Sequence, residues 1–130
     1  MSRTITVEIA PGELIDKITI LEIKAERIED PEKVSNVRVE LKTLEACRDA
    51  TVPTSDDLDR LTGELRKINE TLWVIEDDIR DCERDGDFGD KFVELARSVY
   101  KTNDVRAALK RDINMLLGSR LVEEKSYQPY

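Results

Sequence analysis

Between residues 58 and 82 the apolar positions Leu58, Leu61, Leu65, Ile68, Leu72, Ile75, Ile79 and Cys82 recur at spacings of three and four without a miss. An α-helix turns once every 3.6 residues, so this rhythm lays all of them along one stripe. A stripe about four heptads long is the seam of a coiled-coil-like helix, and it demands other long helices to lie against. Gly63 inside it costs about 1 kcal/mol relative to alanine, which so long a seam absorbs.

The rest of the chain supplies those helices. "PG" at 11–12 opens a helix over about 13–29, where Leu14, Ile18, Leu21, Ala25 and Ile28 form one seam and Ile15, Ile20 and Ile23 occupy much of the opposite side. Asp30 is placed to cap a second helix over about 31–49, with Pro31 at its first position. Thr54 or Ser55 is placed to cap the long helix of about 56–84, and a last helix of about 88–117 ends at Gly118. The terminal stretch 119–130 reads as extended. With 130 residues, 38% of them charged and only 5% aromatic, the chain fits one domain (1–130) with an aliphatic core.

"TITVEIA" (4–10) alternates Ile5, Val7 and Ile9 with Thr4, Thr6 and Glu8, the two-residue period of a half-buried strand. The expected fold is therefore mainly α, an antiparallel helical bundle with long coiled-coil-like helices and one short N-terminal β-strand. A lone strand needs a partner, either the C-terminal stretch or a second copy of the chain. A first helix apolar on two faces points the same way, to a homodimer.

Several classes are disfavoured. The formal net charge of −8 argues against general nucleic-acid binding. No apolar run approaches the ~20 residues that span a bilayer, and "MSRTITVEIA" lacks a secretory h-region, so no membrane association and a cytoplasmic location are expected. Cys47 and Cys82 make no disulfide framework. There is no histidine, the commonest general base near neutral pH, and no phosphate loop, CxxC pair or HExxH helix. "DCERDGDFGDKF" (81–92) puts Asp81, Glu83, Asp85 and Gly86 on EF-hand positions, but Phe92 stands where the bidentate glutamate belongs. No metal or cofactor is expected, and any catalytic residue is unknown. Trp73, on the flank of the long seam, reads as an edge of the core that could also stack on a ligand.

"RSVYKTNDVRAALKRDIN" (97–114) is the exception to the acidic balance, with five basic residues against two acidic ones. In one straight helix Phe92, Leu95, Val99, Ile113 and Leu117 fall within about 40° of a common line, and Asn103, Arg106 and Lys110 fall in the same sector. Those cations would then face the core and need partners. With a break at "TND" (102–104) they would be a solvated face instead, and both readings stand at this stage. In either case Arg97, Tyr100, Lys101, Asn103, Arg106 and Lys110, with Asp16 and Lys17 and also Glu13 from the first helix, are the candidate partner- or ligand-binding residues. Alternatively, the cations balance the acidic block 76–90, with eight acids and two bases.

The blocks "PGELIDKITILEIKAERIEDPEK", "LWVIEDDIR", "FVELARSVYKTNDVRAALKRDIN" and "EEKSYQPY" resemble a family of small bacterial proteins, a domain of unknown function, over essentially the whole chain. The resemblance implies a self-contained helical domain and brings no activity. "ELIDKITILEIKAERI" also resembles the opening helix of the all-helical chorismate mutases, with Arg27 eleven residues after Asp16. Two functions are consistent with the sequence. One is a helical interaction or accessory protein with a basic partner- or anion-binding cluster at 97–114. The other is a small all-α enzyme or receptor for an anionic metabolite.

Overall fold

The computed structural model of the chain describes residues 3–130. Four helices follow one another: α1 (Pro11–Arg27), α2 (Pro31–Thr51), α3 (Asp56–Asp85) and α4 (Asp90–Leu116). The connections are short and their caps are local. Asp30 accepts from the backbone N–H of Glu32 and Lys33 at the start of α2, and Ser55 accepts from Leu58 N–H at the start of α3. Gly86, at φ 67°, ends α3 in the left-handed conformation that glycine adopts without a Cβ penalty. α1 begins two residues earlier than its apolar pattern indicates because Pro11 serves as its first residue, and it ends at Arg27 because Ile28 is already extended.

The turn between α3 and α4 reverses the chain, so Asp57 and Leu61 near the start of α3 lie beside Asp112, Met115 and Leu116 near the end of α4. α1 lies against this hairpin on one side and against α2 on the other. Its two apolar faces are thus both satisfied within one chain. Ile15 joins Leu58, Leu61, Leu65, Leu109 and Ile113 in the core cluster, with Val52, Ile68 and Leu117 packed around it. Burying such aliphatic side chains is worth about 1.5–3 kcal/mol each and supplies most of the driving force. Arg66 ties α3 to α1, reaching Glu26 at 2.6 Å and Glu22 at 3.7 Å.

The strand expected over 4–10 does not form: no strand is present among the described residues. Its alternation is genuine, but Ile5 is 87% and Val7 68% exposed, because no neighbouring strand offers N–H and C=O groups to complete a ladder. The C-terminal stretch that could have paired with it lies along α4 instead, and the two ends meet through the Arg120–Glu8 ion pair.

α2 touches only α1 and buries none of its residues. The chain exposes 9342 Å², against about 7,000 Å² expected of a globular monomer of 14.9 kDa. No helix is long and apolar enough to cross a membrane among the described residues.

Candidate functional site

α4 is one unbroken helix through Thr102, Asn103 and Asp104, and this decides where its cations go. Arg106 and Lys110 face α1. The Asp16 side chain is 1% exposed, in the middle of α1. Arg106 engages both its oxygens, with Nε donating to Oδ1 at 3.0 Å and Nη2 donating to Oδ2. A planar guanidinium matches a carboxylate in this two-pronged way, whereas an ammonium does not. The bond to Asp16 outweighs the opposing effect of burial and raises the Arg106 pKa further, so the charge is permanent.

α3 completes the network. The Asn69 amide donates to Asp16 Oδ1 and to Thr19 Oγ1, both at 2.9 Å, while the Thr19 hydroxyl donates to the Asp16 carbonyl at 2.8 Å. Asp16, Thr19 and Asn69 are all buried, and among the described residues no buried side-chain nitrogen or oxygen lacks a partner. A fully satisfied buried polar network of this sort fixes the relative positions of the helices that hold it.

One turn further along, Lys110 sits between Glu13 at 2.7 Å and Glu123 at 2.8 Å. Burial acts to lower the lysine pKa, but the two carboxylate hydrogen bonds outweigh it and the net movement is upward. At the next turn Asn114 Oδ1 accepts from Gly12 N–H at 2.7 Å, satisfying one of the orphan donors at the start of α1, whose N-cap, Ala10, has no side chain to do so. Gly12 permits that approach, since a Cβ there would lie 2.4 Å from the Lys110 carbonyl oxygen.

The network opens onto a cleft of about 490 Å³ between α1, α3 and α4. Ile20, Ile23, Leu72 and Trp73 form its apolar wall, Asn69, Asn103 and Arg106 its polar end, and Lys24, Glu76, Asp77 and Arg80 its rim. Arg106 Nη1 also donates to Asn103 Oδ1 at 3.5 Å, so the two residues that line this part of the cleft are tied to each other.

The structure therefore divides the residues of the basic stretch into three groups. Asn103 and Arg106 line the cleft, with Asp16 behind them. Lys110 belongs with Glu13 and Glu123, and Lys17 lies exposed at 3.6 Å from Glu13. Arg97, Tyr100 and Lys101 are on the outside, Arg97 paired with Glu94 at 3.1 Å and Tyr100 edge-on to Tyr130. Arg27 falls on a separate surface with Lys67, Glu70 and Thr71, away from the Asp16 pairing. Asp81, Glu83 and Asp85 are still helical, so they fan around α3 instead of converging on an ion. Both cysteines are free, Cys47 exposed and Cys82 buried.

Sequence reasoning missed Asn69, Thr19 and Glu123. Asn69 lies beside the seam through Ile68 and Leu72 and carries no periodic signal of its own. The double apolar face of α1 was the clue that the flank of α3 would be covered.

These features define a four-helix protein with a pre-formed, mixed-polarity cleft fixed by a buried Asp–Arg–Asn network. The chain belongs to a family of unknown function, DUF6165, whose profile matches residues 5–130. No curated protein and no solved structure matches it.

Proposed function

We propose that the protein is a helical accessory module that binds a small amphipathic ligand in the α1–α3–α4 cleft. The observation that carries this reading is the position of Arg106. It is half-buried and locked by Asp16, and it lines the same cleft as the apolar side chains Ile20, Leu72 and Trp73. A structural ion pair needs no cavity beside it. A binding site needs a few fixed polar groups facing an apolar wall, and this cleft has that form.

The charge of the cleft limits the ligand. Three cations (Lys24, Arg80 and Arg106) stand against two carboxylates (Glu76 and Asp77), and Asp16 behind Arg106 cancels the excess. A polyphosphate would be poorly matched. An aromatic or aliphatic body with a single anionic group fits the apolar wall and the polar end together. No general base or nucleophile is invoked, and the role is binding.

The open shape supports a homodimer as the working form. α2 presents Val34, Val39 and Leu41 beside Arg38 and Glu45 on an uncovered groove. Two copies of α2 packed antiparallel would bring Arg38 against Glu45 of the other copy twice, in the self-complementary manner of a two-fold interface. Light scattering at micromolar concentration tests this, and a particle of 14.9 kDa would sink it.

The ligand reading is tested by thermal shift with phenylacetate, phenyl phosphate and inorganic phosphate on the wild type and on Asn103→Ala. Stabilisation by the aromatic monoanion that is weakened in Asn103→Ala supports the cleft. Stabilisation by inorganic phosphate alone, or equally in both proteins, contradicts it.

A further inference from the structure

The C-terminal stretch is bound to the body of the protein like a ligand. After Leu117, Ser119 makes a turn, its N–H donating to the Asn114 carbonyl at 2.9 Å and its hydroxyl to the Leu121 carbonyl at 2.7 Å. The chain then runs back along α4. Glu123 reaches Lys110 and Glu124 reaches Arg111, each at 2.8 Å. Six residues on, the Tyr130 hydroxyl donates to Asp104 and its ring stands edge-on to Tyr100, with centroids 5.3 Å apart.

Every residue from 122 to 130 is exposed, and beyond Leu121 none of the described backbone N–H groups donates a hydrogen bond to the rest of the protein. The segment adds no residue to the core cluster. The Arg111–Glu124 pair and the aromatic contact are exposed, and in the Lys110–Glu123 pair the tail's own carboxylate is 47% exposed. The attachments are individually weak, so such a segment exchanges between docked and free states. Beneath it Ala107 and Ala108 leave a floor without bulky side chains, and a hollow of about 280 Å³ remains between α4 and the tail.

We propose that this face of α4 is a docking surface for an acidic peptide and that residues 119–130 occupy it in cis as a competitor. The partner is a peptide with two consecutive carboxylates followed about six residues later by an aromatic side chain. Lys110 and Arg111 take the carboxylates, and Tyr100 with Asp104 takes the aromatic end, above all when it carries a hydroxyl. Charge complementarity argues for this occupant. The helix is locally basic in an acidic chain. Although the seated tail also carries Arg120 and Lys125, its two consecutive carboxylates are the groups that meet the helix cations Lys110 and Arg111. A tethered copy is present at an effective concentration that an outside peptide has to overcome, so the docked tail sets a threshold for the partner. This proposal is independent of the cleft ligand.

The test uses a fluorescein-labelled peptide of residues 119–130 and anisotropy. It is titrated against the wild-type chain and against the full-length variant Glu123→Gln/Glu124→Gln/Tyr130→Ala, in which the tail is weakened but the core residues are untouched. The expected result is at least about tenfold tighter binding to the variant than to the wild type. Adding Arg111→Ala to that variant should weaken binding at least about fivefold, and a scrambled peptide should bind at least as weakly. Circular dichroism of each variant confirms that its helices remain. No binding to the weakened-tail variant, equal affinity for variant and wild type, or equal binding of the scrambled peptide would each overturn the proposal.

Discussion

Arg106 on α4 and Asp16 on α1, 90 positions apart in sequence, meet as a two-pronged pair whose carboxylate is 1% exposed. Removing one partner leaves a desolvated charge. Asp16→Asn should therefore cost about 2–3 kcal/mol in urea unfolding at neutral pH, somewhat less than a fully buried pair because Arg106 keeps 28% of its side-chain exposure. Replacing both, as Asp16→Leu with Arg106→Met, should recover all but about 1 kcal/mol, because an apolar pair carries no desolvation debt. A single mutant costing under about 0.5 kcal/mol would show that the pair is solvated.

Gly12 and Gly63 should respond to alanine with opposite signs. At Gly12 the added Cβ meets backbone, the Lys110 carbonyl, and the Asn114 cap must also shift, so a loss of about 1–3 kcal/mol is expected. At Gly63 nothing lies within 4 Å, so Gly63→Ala should gain about 0.5–1 kcal/mol from helix propensity. Thermal unfolding of the two variants side by side checks the prediction, and a Gly12→Ala protein as stable as the wild type would refute the close α1–α4 approach.

The attachment of the tail should weaken in acid. Hydrogen bonding to Lys110 holds the Glu123 carboxyl below its ordinary 4.5. A group depressed in the folded state contributes stability above its unfolded pKa and loses it as pH falls through the folded one. The Glu123 contribution should thus be constant above about pH 5 and decline below 4.5. Lys110, shifted upward, keeps its charge through that window. Glu22 acts in the opposite sense, because burial raises its pKa, so the comparison to make is wild type against Glu123→Gln. Their melting temperatures should differ at pH 7 and converge toward pH 3. A difference that grows in acid would contradict the assignment.

The two thiols should differ in reactivity. Cys82 is 3% exposed near the end of α3, whereas Cys47 is exposed on α2. Ellman's reagent should titrate one thiol quickly and the second only with unfolding, and two fast thiols would mean that the α3–α4 hairpin opens near Cys82.

The helices were legible in the sequence because their seams are long and their caps carry signatures. Asp30 with Pro31, Ser55 and Gly118 all stand where helix ends fall. The strand over 4–10 was misread because alternation records what one segment offers and not whether another segment will pair with it. The site was half legible. Helical phase alone indicated that a continuous α4 turns Asn103, Arg106 and Lys110 inward, but whether it continued through "TND" depended on tertiary partners, Asp16 and Glu13, some 90 residues away. Asn69 and Glu123 were invisible for the same reason. Arg97 and Lys101 share the local composition of Arg106 and Lys110, and only the packing of α1 separates them.

Trp73 is the protein's one tryptophan and stands on the apolar wall of the cleft, so its emission reports directly on occupancy. Titration with phenylacetate should give a saturable change in Trp73 emission with a dissociation constant in roughly the millimolar range or tighter. The same titration of Asn103→Ala should shift the midpoint at least about threefold higher, the loss of one modest hydrogen bond. No saturable change up to about 10 mM, or an identical midpoint in Asn103→Ala, would contradict the assignment of the cleft as the binding site.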